Sequence, residues 1–255
     1  MTLSLTNSIS ALLTIGARLS GMVLLAPFFG NTAIPRPVKA CLVLGLTVIL
    51  YPLYGPKIAI ADMHQWPMVA LTELAIGAAV GITANLVFEG VQLAGQALSV
   101  QMGYSLINIL DPQTQVESTV VAVFHQTIAM LIFLRLDVHH LIIRAVSNSF
   151  EYLPPGSGHM KAAVVVGVFQ IGARIIAVGT QIAAPVLSAT LVADIVIGAL
   201  GKAATQIPLM LLGPALKSIL GLAIMVAFLG YWPTIFGHLF VESISYSEQL
   251  LHLAR

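Results

Sequence analysis

Apolar runs that are long enough to cross a lipid bilayer recur along this chain and constrain its fold more than any other feature. A helix needs about 20 apolar residues to cross the hydrocarbon core, and a backbone in lipid must satisfy its own hydrogen bonds. The runs therefore predict an all-α chain, either an integral membrane protein or a subunit of a membrane-embedded assembly. They cover residues 9–29, 38–54, 68–88, 118–134, 162–182, 186–200 and 209–231.

Composition indicates the same class of protein. Only 8% of the 255 residues are charged, whereas soluble domains carry roughly 25%. The formal net charge of +1 argues against a surface that binds nucleic acid. The sequence contains no P-loop, dinucleotide fingerprint, nucleophile elbow or HExxH motif, so we expect neither enzymatic activity nor a cofactor. Simple alternation of the runs places basic residues on both sides of the membrane in similar numbers, and the positive-inside rule therefore does not fix the orientation.

Proline and glycine between the runs predict kinked helical hairpins, because proline removes a backbone donor and disfavours helical geometry at the preceding residue. We expect breaks near Pro35, Pro112, Pro154 and Pro185. Pro185 would divide residues 162–200 into the two halves of a hairpin, and Gly213-Pro214 would interrupt the last run. The chain, residues 1–255, is expected to form a single domain with four parts: 1–88, 89–118, 119–232 and 233–255.

The stretch 89–118 differs from the runs around it, since it holds no lysine or arginine but several glutamine, serine and asparagine residues. Gly90, Gly95 and Gly103 weaken helix here, and Asp111-Pro112 ends it. Backbone of this intermediate polarity survives in a membrane only where protein covers it or where it lines a water-filled path. Two interpretations stay open, namely a pore or gate element and a re-entrant or interfacial turn without a transport role.

Five charged side chains fall inside or at the ends of the apolar runs, where an unpaired ion in hydrocarbon is costly. They are Arg18, Glu73, Arg174, Asp194 and Lys217. One hypothesis is a proton relay, as in a transporter, and the favoured one is pairing with polar groups inside an assembly. Pairing predicts a polar partner or water, rather than lipid, beside Arg18, Glu73, Asp194 and Lys217.

Two patterns predict contacts between helices. The first places small and then polar residues on one helix face at a spacing of four, which begins with a GxxxG pattern that permits close approach: Gly77, Gly81, Asn85 and Glu89. The second is the apolar side of the amphipathic tail, which favours a helix that seeks a partner: Phe236, Phe240 and Ile244.

A short amphipathic helix is expected just before Pro154, and it is too short to span a bilayer, so it should lie at an interface or on a partner. Within it, His139-His140 does not predict a metal site. Adjacent residues on a helix point about 100° apart, and the sequence shows no cluster of carboxylates or cysteines to complete a ligand set.

With these residues in view, the chain resembles the FliR family of flagellar export-gate proteins, which includes the SctT subunits of injectisomes. The N-terminal matches are Ala17-Arg18-Leu19-Ser20-Gly21, Ala26-Pro27-Phe28-Phe29-Gly30, Ile34-Pro35 and Val38-Lys39. The central matches are Glu73-Leu74-Ala75-Ile76-Gly77, Gly81, Ala94-Gly95-Gln96, Gln101-Met102-Gly103-Tyr104 and Asp111-Pro112. The later matches are Ser149-Phe150, Pro154, Ala184-Pro185, Asp194 and Pro214-Ala215-Leu216-Lys217. The sequence departs from the pattern at Gln206-Ile207-Pro208, where the family more often has Pro-Gln.

The resemblance implies a non-enzymatic core subunit of the flagellar type III protein-export gate, a multi-pass protein of the bacterial inner membrane in the flagellar basal body. The family assembles with FliP and FliQ, contacts FlhB and FlhA, and passes unfolded flagellar subunits with the help of proton-motive force and a separate ATPase. The resemblance further implies a pore plug within the semi-polar stretch: Met102, Gly103, Tyr104, Leu106, Ile107, Ile109, Leu110, Asp111 and Pro112.

A secondary transporter of a small solute or an ion, built on broken helices, is the alternative function. Internal repeats would support it, and the two halves of the chain show no convincing repeat. Such a transporter should be stable alone or as a homo-oligomer. A subunit of an export gate should instead require its hydrophobic partners.

Overall fold

The computed structural model describes residues 2–31, 33–58, 66–104, 120–155, 162–203 and 209–253. These residues form eight α-helices and two short 3-10 turns, Gly55–Lys57 and Leu229–Tyr231, and they contain no strand. The helices are α1 Thr2–Leu25, α2 Arg36–Tyr54, α3 Trp66–Gln101, α4 Val120–Arg135, α5 Val138–Tyr152, α6 Ala162–Ala203, α7 Leu209–Phe228 and α8 Trp232–Leu253. The predicted all-α fold is confirmed.

Within the described residues, five segments are long and apolar enough to cross a membrane. They are Asn7–Leu25, Arg36–Tyr54, Trp66–Gln101, Gln170–Ala203 and Leu212–Leu251. Helices α4 and α5 form a sixth candidate that is bent by 65° at the residues between them. The chain is therefore a membrane protein of several apolar helices, as the apolar runs predict.

Proline marks the predicted boundaries at two of the four expected places. Helix α2 begins directly after Pro35, with Pro37 in its first turn, where a missing backbone N–H leaves no hydrogen bond unmade. Helix α5 ends at Tyr152, two residues before Pro154. Pro112 lies outside the described residues.

The predicted break at Pro185 is wrong, because α6 runs through this residue as one helix. Pro214 likewise lies inside α7, so Gly213-Pro214 does not interrupt the last run. A proline inside a helix removes a single backbone hydrogen bond and kinks the helix. The apolar residues on both sides continue the helical pattern, and α6 keeps its helical geometry across Pro185.

The expectation that glycine weakens helix after residue 89 is also wrong up to Gln101, where α3 ends. Glycine in a helix costs about 1 kcal/mol relative to alanine, but it permits close packing of a neighbouring helix. A Cβ atom at Gly90 would lie 2.7 Å from Cγ1 of Val178, and one at Gly95 would collide with the backbone of Ala122. Tertiary contacts of α3 with α6 and α4 therefore compensate for the low helix propensity.

The contacts divide the chain into two compact units, each described separately below. The first unit comprises Met1–Leu86, Phe133–Gly172 and Leu239–Arg255. The second comprises Val87–Ile132 and Ala173–His238. The core of the first unit includes the face of α1 at Ala11, Ile15, Leu19 and Met22, all of which are at most 1% exposed.

Candidate functional site

A fully buried arginine joins three helices of the first unit. The Nε atom of Arg18 on α1 donates to Oε2 of Glu73 on α3 at 2.6 Å, and both side chains are 0% exposed. Its Nη1 donates to Oγ of Ser149 on α5 at 3.0 Å, and its Nη2 donates to the carbonyl oxygen of Leu153 at 3.0 Å. The guanidinium carbon also lies 4.2 Å from the centre of the Phe150 ring. These contacts satisfy a charge that apolar surroundings would otherwise make costly.

The glycines of α3 allow this pair to form. A Cβ atom at Gly77 would collide with the carbonyl oxygen of Arg18, and one at Gly81 would lie 2.9 Å from the carbonyl oxygen of Met22. A Cβ atom at Gly21 of α1 would in turn collide with the carbonyl oxygen of Leu74. The backbones of α1 and α3 are therefore in direct contact at this crossing. Further along the same face, Asn85 is half-buried and Glu89 is exposed.

The tail helix α8 packs on the chain itself. Phe240 is 1% exposed, and its ring lies 5.5 Å from that of Phe133 in an edge-to-face arrangement within the first unit. Tyr246 donates its hydroxyl to Oε1 of Gln170 at 2.8 Å. Phe236 is also 1% exposed, and Ile244 is half-buried. Phe236 and Phe240 are thus covered by residues of the same chain, and a contact of this apolar side with another subunit stays a prediction.

In the second unit, α3 ends where the plug is expected to begin. Gly103 has φ +88°, in the left-handed region that favours glycine. The N–H of Tyr104 donates to the carbonyl of Ser99 at 2.9 Å, and the N–H of Gly103 donates to that of Val100 at 3.1 Å. This pair of bonds is the Schellman motif, a common helix terminator. The other expected plug residues lie outside the described part of the chain: Leu106, Ile107, Ile109, Leu110, Asp111 and Pro112.

The side chain of Met102 lies beneath this turn. It is 0% exposed, and a Cβ atom at Gly221 of α7 would lie 2.8 Å from its terminal methyl carbon. Ser218 of α7 donates its hydroxyl to the carbonyl oxygen of Met102 at 2.9 Å. A Cβ atom at Gly103 would lie 2.8 Å from Cβ of Pro214. Helix α7 therefore contacts the first two residues after α3.

A polar cluster adjoins the same turn. Lys217 Nζ lies 2.9 Å from Oδ1 of Asp194, and Nε2 of Gln101 donates to the other carboxylate oxygen at 2.8 Å. The Lys217 side chain is 18% exposed and that of Asp194 is 41% exposed. Among the five charged residues singled out in the sequence, Arg18 and Glu73 are thus paired in the first unit, and Asp194 and Lys217 in the second. Arg174 of α6 is half-buried.

Three residues at the junction of α4 and α5 could share a metal ion, contrary to the reasoning from sequence. The rings of His139 and His140 lie 4.1 Å apart rather than pointing apart. Oδ1 of Asp137 lies 3.6 Å from Nδ1 of His140 and 3.9 Å from Nε2 of His139. Asp137 adopts a left-handed conformation with φ +53°, and the side chains of Asp137 and His140 are about 70% exposed. Water competes for ligands that are so exposed, and the absence of a metal requirement stays a prediction.

The partners of the charged residues were not predicted from sequence. Ser149 lies on the buried face of α5 with Ile142, Ala145 and Phe150. Ser149 is thus a polar residue among apolar neighbours at helical spacing, and this pattern could have indicated a polar contact there. Gln101 and Ser218 carried no comparable signal, since both lie in stretches where polar and apolar residues alternate irregularly.

Comparison with known proteins finds a family and several relatives that match most of the chain. The family described as "Bacterial export proteins, family 1" matches residues 9–243. The chain is similar to flagellar biosynthetic protein FliR of Bacillus subtilis (strain 168), at 25% identity over 98% of this chain and 98% of the relative. It is also similar to FliR of Escherichia coli (strain K12), at 26% identity over 88% and 86% of the two chains. It is similar as well to FliR of Caulobacter vibrioides, at 27% identity over 82% of this chain and 84% of the relative.

The family match covers most of the chain, and the relatives are matched over most of their own length. The matched region includes the Arg18–Glu73 pair, the end of α3 and the Asp194–Lys217 pair. The chain therefore belongs to the bacterial export proteins, family 1, which is the FliR family of flagellar export proteins.

Proposed function

We propose that this chain is a core subunit of the flagellar type III protein-export gate and forms, with FliP and FliQ, the channel through which unfolded flagellar subunits cross the inner membrane. In this proposal the plug segment, residues 102–112, closes the channel at rest, and the assembled gate contacts FlhB and FlhA in the flagellar basal body. Family membership supports the export role, since the relatives are named flagellar biosynthetic proteins.

The observation that carries the plug assignment is the end of α3. A helix of 36 residues stops at Gln101 with a left-handed glycine, and the chain then continues into a stretch without lysine or arginine. A segment that closes a channel must leave the helical direction and present apolar side chains to the path. Leu106, Ile107, Ile109 and Leu110 supply such side chains, and an apolar constriction stops ions by excluding water.

The buried charges support export rather than transport of a small ion. Arg18 and Glu73 are 0% exposed and bonded to each other. Their arrangement suits a structural role at the crossing of α1, α3 and α5.

Deletion of residues 104–110 tests the proposal. Membranes that contain the assembled deletion complex should leak protons or small dyes several-fold faster than wild type, while FliP and FliQ still co-purify with the chain. A matched pair of variants refines the test: all four apolar residues at 106, 107, 109 and 110 are replaced by serine in one and by valine in the other. The serine variant should leak and the valine variant should stay tight.

Two results would overturn the proposal. If the assembled deletion complex is as tight as wild type, the segment is not the principal seal. If the chain purifies as a stable homo-oligomer and FliP and FliQ do not bind it, the subunit role is wrong and the transporter alternative gains support.

A further inference from the structure

Three helices of the second unit meet at the last residue of α3, and the meeting point is polar. Gln101 belongs to α3, Asp194 to α6 and Lys217 to α7. The two oxygens of the Asp194 carboxylate accept separate bonds, one from Lys217 at 2.9 Å and one from Gln101 at 2.8 Å. A single carboxylate therefore links α3 to both neighbouring helices. We call these three residues the Asp194 cluster.

The chain that follows Gln101 is held by one of these helices, α7. Ser218, next to Lys217, donates to the carbonyl of Met102, and Pro214 lies against Gly103. Consecutive residues 101, 102 and 103 are thus each in contact with α6 or α7. These are the residues that connect α3 to the rest of the plug segment.

We infer that the Asp194 cluster is a positioning device for residues 102–104, in which the Lys217–Asp194 ion pair presents a fixed acceptor to Gln101 and thereby keeps these residues against α7. This inference rests on the proposed function of residues 102–112. It adds Gln101, Asp194 and Lys217 as positioning residues for the start of that segment.

The division of the carboxylate between two donors makes the contact reversible. When residues 102–104 leave α7, Gln101 leaves Asp194, but Lys217 remains and the charge of the carboxylate stays paired. The amide of Gln101 is neutral, so its release leaves no uncompensated ion behind. Loss of Lys217 has the opposite effect, since it leaves the carboxylate without its cation. The ion pair is thus the fixed part of the cluster and Gln101 is the part that releases.

The cluster can be tested without relying on leakage. Cys41, the single cysteine of the chain, is replaced by serine, and Tyr104 by cysteine, so that a maleimide reports the exposure of the first plug residues in membranes that contain the complete export complex. In this background Gln101→Met removes the amide and keeps the side-chain length. The labelling rate at position 104 should rise several-fold in this variant, and also in Lys217→Met.

Controls of the same chemistry separate a local effect from general disturbance. Gln126→Met changes a half-buried glutamine of α4, and Lys39→Met changes a lysine that donates to the carbonyl of Gly30 in the first unit. Both should label at the wild-type rate. The charge exchange Asp194→Lys with Lys217→Asp should return the labelling rate to within about twofold of wild type, because it restores the ion pair and a group that can bond Gln101.

The outcomes distinguish this inference from the proposed function. If Gln101→Met and Lys217→Met label at the control rate while deletion of residues 104–110 leaks, the plug stands and the role of the cluster is wrong. If these two variants label faster but the deletion complex stays tight, the cluster holds residues 102–104 and the plug assignment fails. If the charge exchange labels as fast as Lys217→Met, the ion pair is not what positions Gln101, and the inference is overturned.

Discussion

The buried pair of Arg18 and Glu73 allows a quantitative prediction. The change Arg18→Met keeps a long apolar stem but leaves the carboxylate of Glu73 buried without its cation. Removal of one partner of a buried ion pair costs about 3–5 kcal/mol. The carbonyl of Leu153 also loses a donor, whereas Ser149 keeps the bond that its own hydroxyl donates to Val146 at 2.6 Å.

This cost is large relative to the stability of a folded protein. Typical unfolding free energies are about 5–15 kcal/mol, so Arg18→Met should remove a large fraction of the stability of the first unit. We expect a strongly reduced amount of chain in the membrane and a melting temperature of the solubilised export complex that is lower by several degrees. Immunoblots of membranes and thermal melts of the purified complex measure these two quantities.

The double variant Arg18→Met with Glu73→Met separates the pair from its surroundings. It leaves no unpaired ion, and replacement of a buried pair by apolar residues is often close to neutral. The double variant should therefore be more stable than Arg18→Met alone. Arg144→Met, at an exposed position of α5, is the matched control and should change stability by no more than about 0.5 kcal/mol.

Two results would refute this reasoning. If Arg18→Met and Arg144→Met accumulate equally and melt at the same temperature, the buried pair contributes little to stability. If the double variant loses as much stability as the sum of the two single variants, the two side chains act independently and the 2.6 Å contact does not couple them.

Two further substitutions test the packing of the first unit. Gly81→Leu should abolish assembly measured by co-purification, since even a Cβ atom would lie 2.9 Å from the carbonyl oxygen of Met22. Gly45→Leu is the control and should assemble normally, because no atom lies near a Cβ at this position. Equal assembly of the two variants would show that Gly81 does not lie at a required helix contact. Phe240→Ala should lower the free energy of unfolding by about 3–5 kcal/mol in a thermal or denaturant assay, because the ring is 1% exposed. Val241→Ala, at a position that is 60% exposed, should lower it only slightly. Equal losses of stability in the two variants would contradict the burial of the tail.

Local features of the sequence were enough to predict the first helices. The run 38–54 corresponds closely to α2, because proline fixes the start of the helix and the apolar length fixes its extent. The start of α3 was predicted in the same way from the run that begins at Met68. Element type and approximate length depend on neighbouring residues only, and those are visible in the sequence.

The sequence-based predictions failed where residues far away along the chain determine the local structure. Gly90 and Gly95 look like helix breakers in isolation, but the close approach of α6 and α4 makes glycine suitable at these positions. The partners of Arg18 could not be predicted from the local sequence either. Glu73 and Ser149 lie 55 and 131 residues away along the chain, and no local pattern joins them to α1.

The continuity of α6 across Pro185 changes the count of membrane crossings. Two crossings, at 162–182 and 186–200, would return the chain to the side from which it came, whereas one crossing leaves it on the opposite side. The segment Gln170–Ala203 is 34 residues long, which is about 51 Å at 1.5 Å per residue against a hydrocarbon core of about 30 Å. Its apolar length therefore reflects one long helix and requires no second crossing. When the bent pair α4–α5 is counted as a crossing, the described residues give six crossings in place of the seven apolar runs, so a reporter enzyme fused behind α8 should lie in the compartment opposite to the one that seven crossings assign.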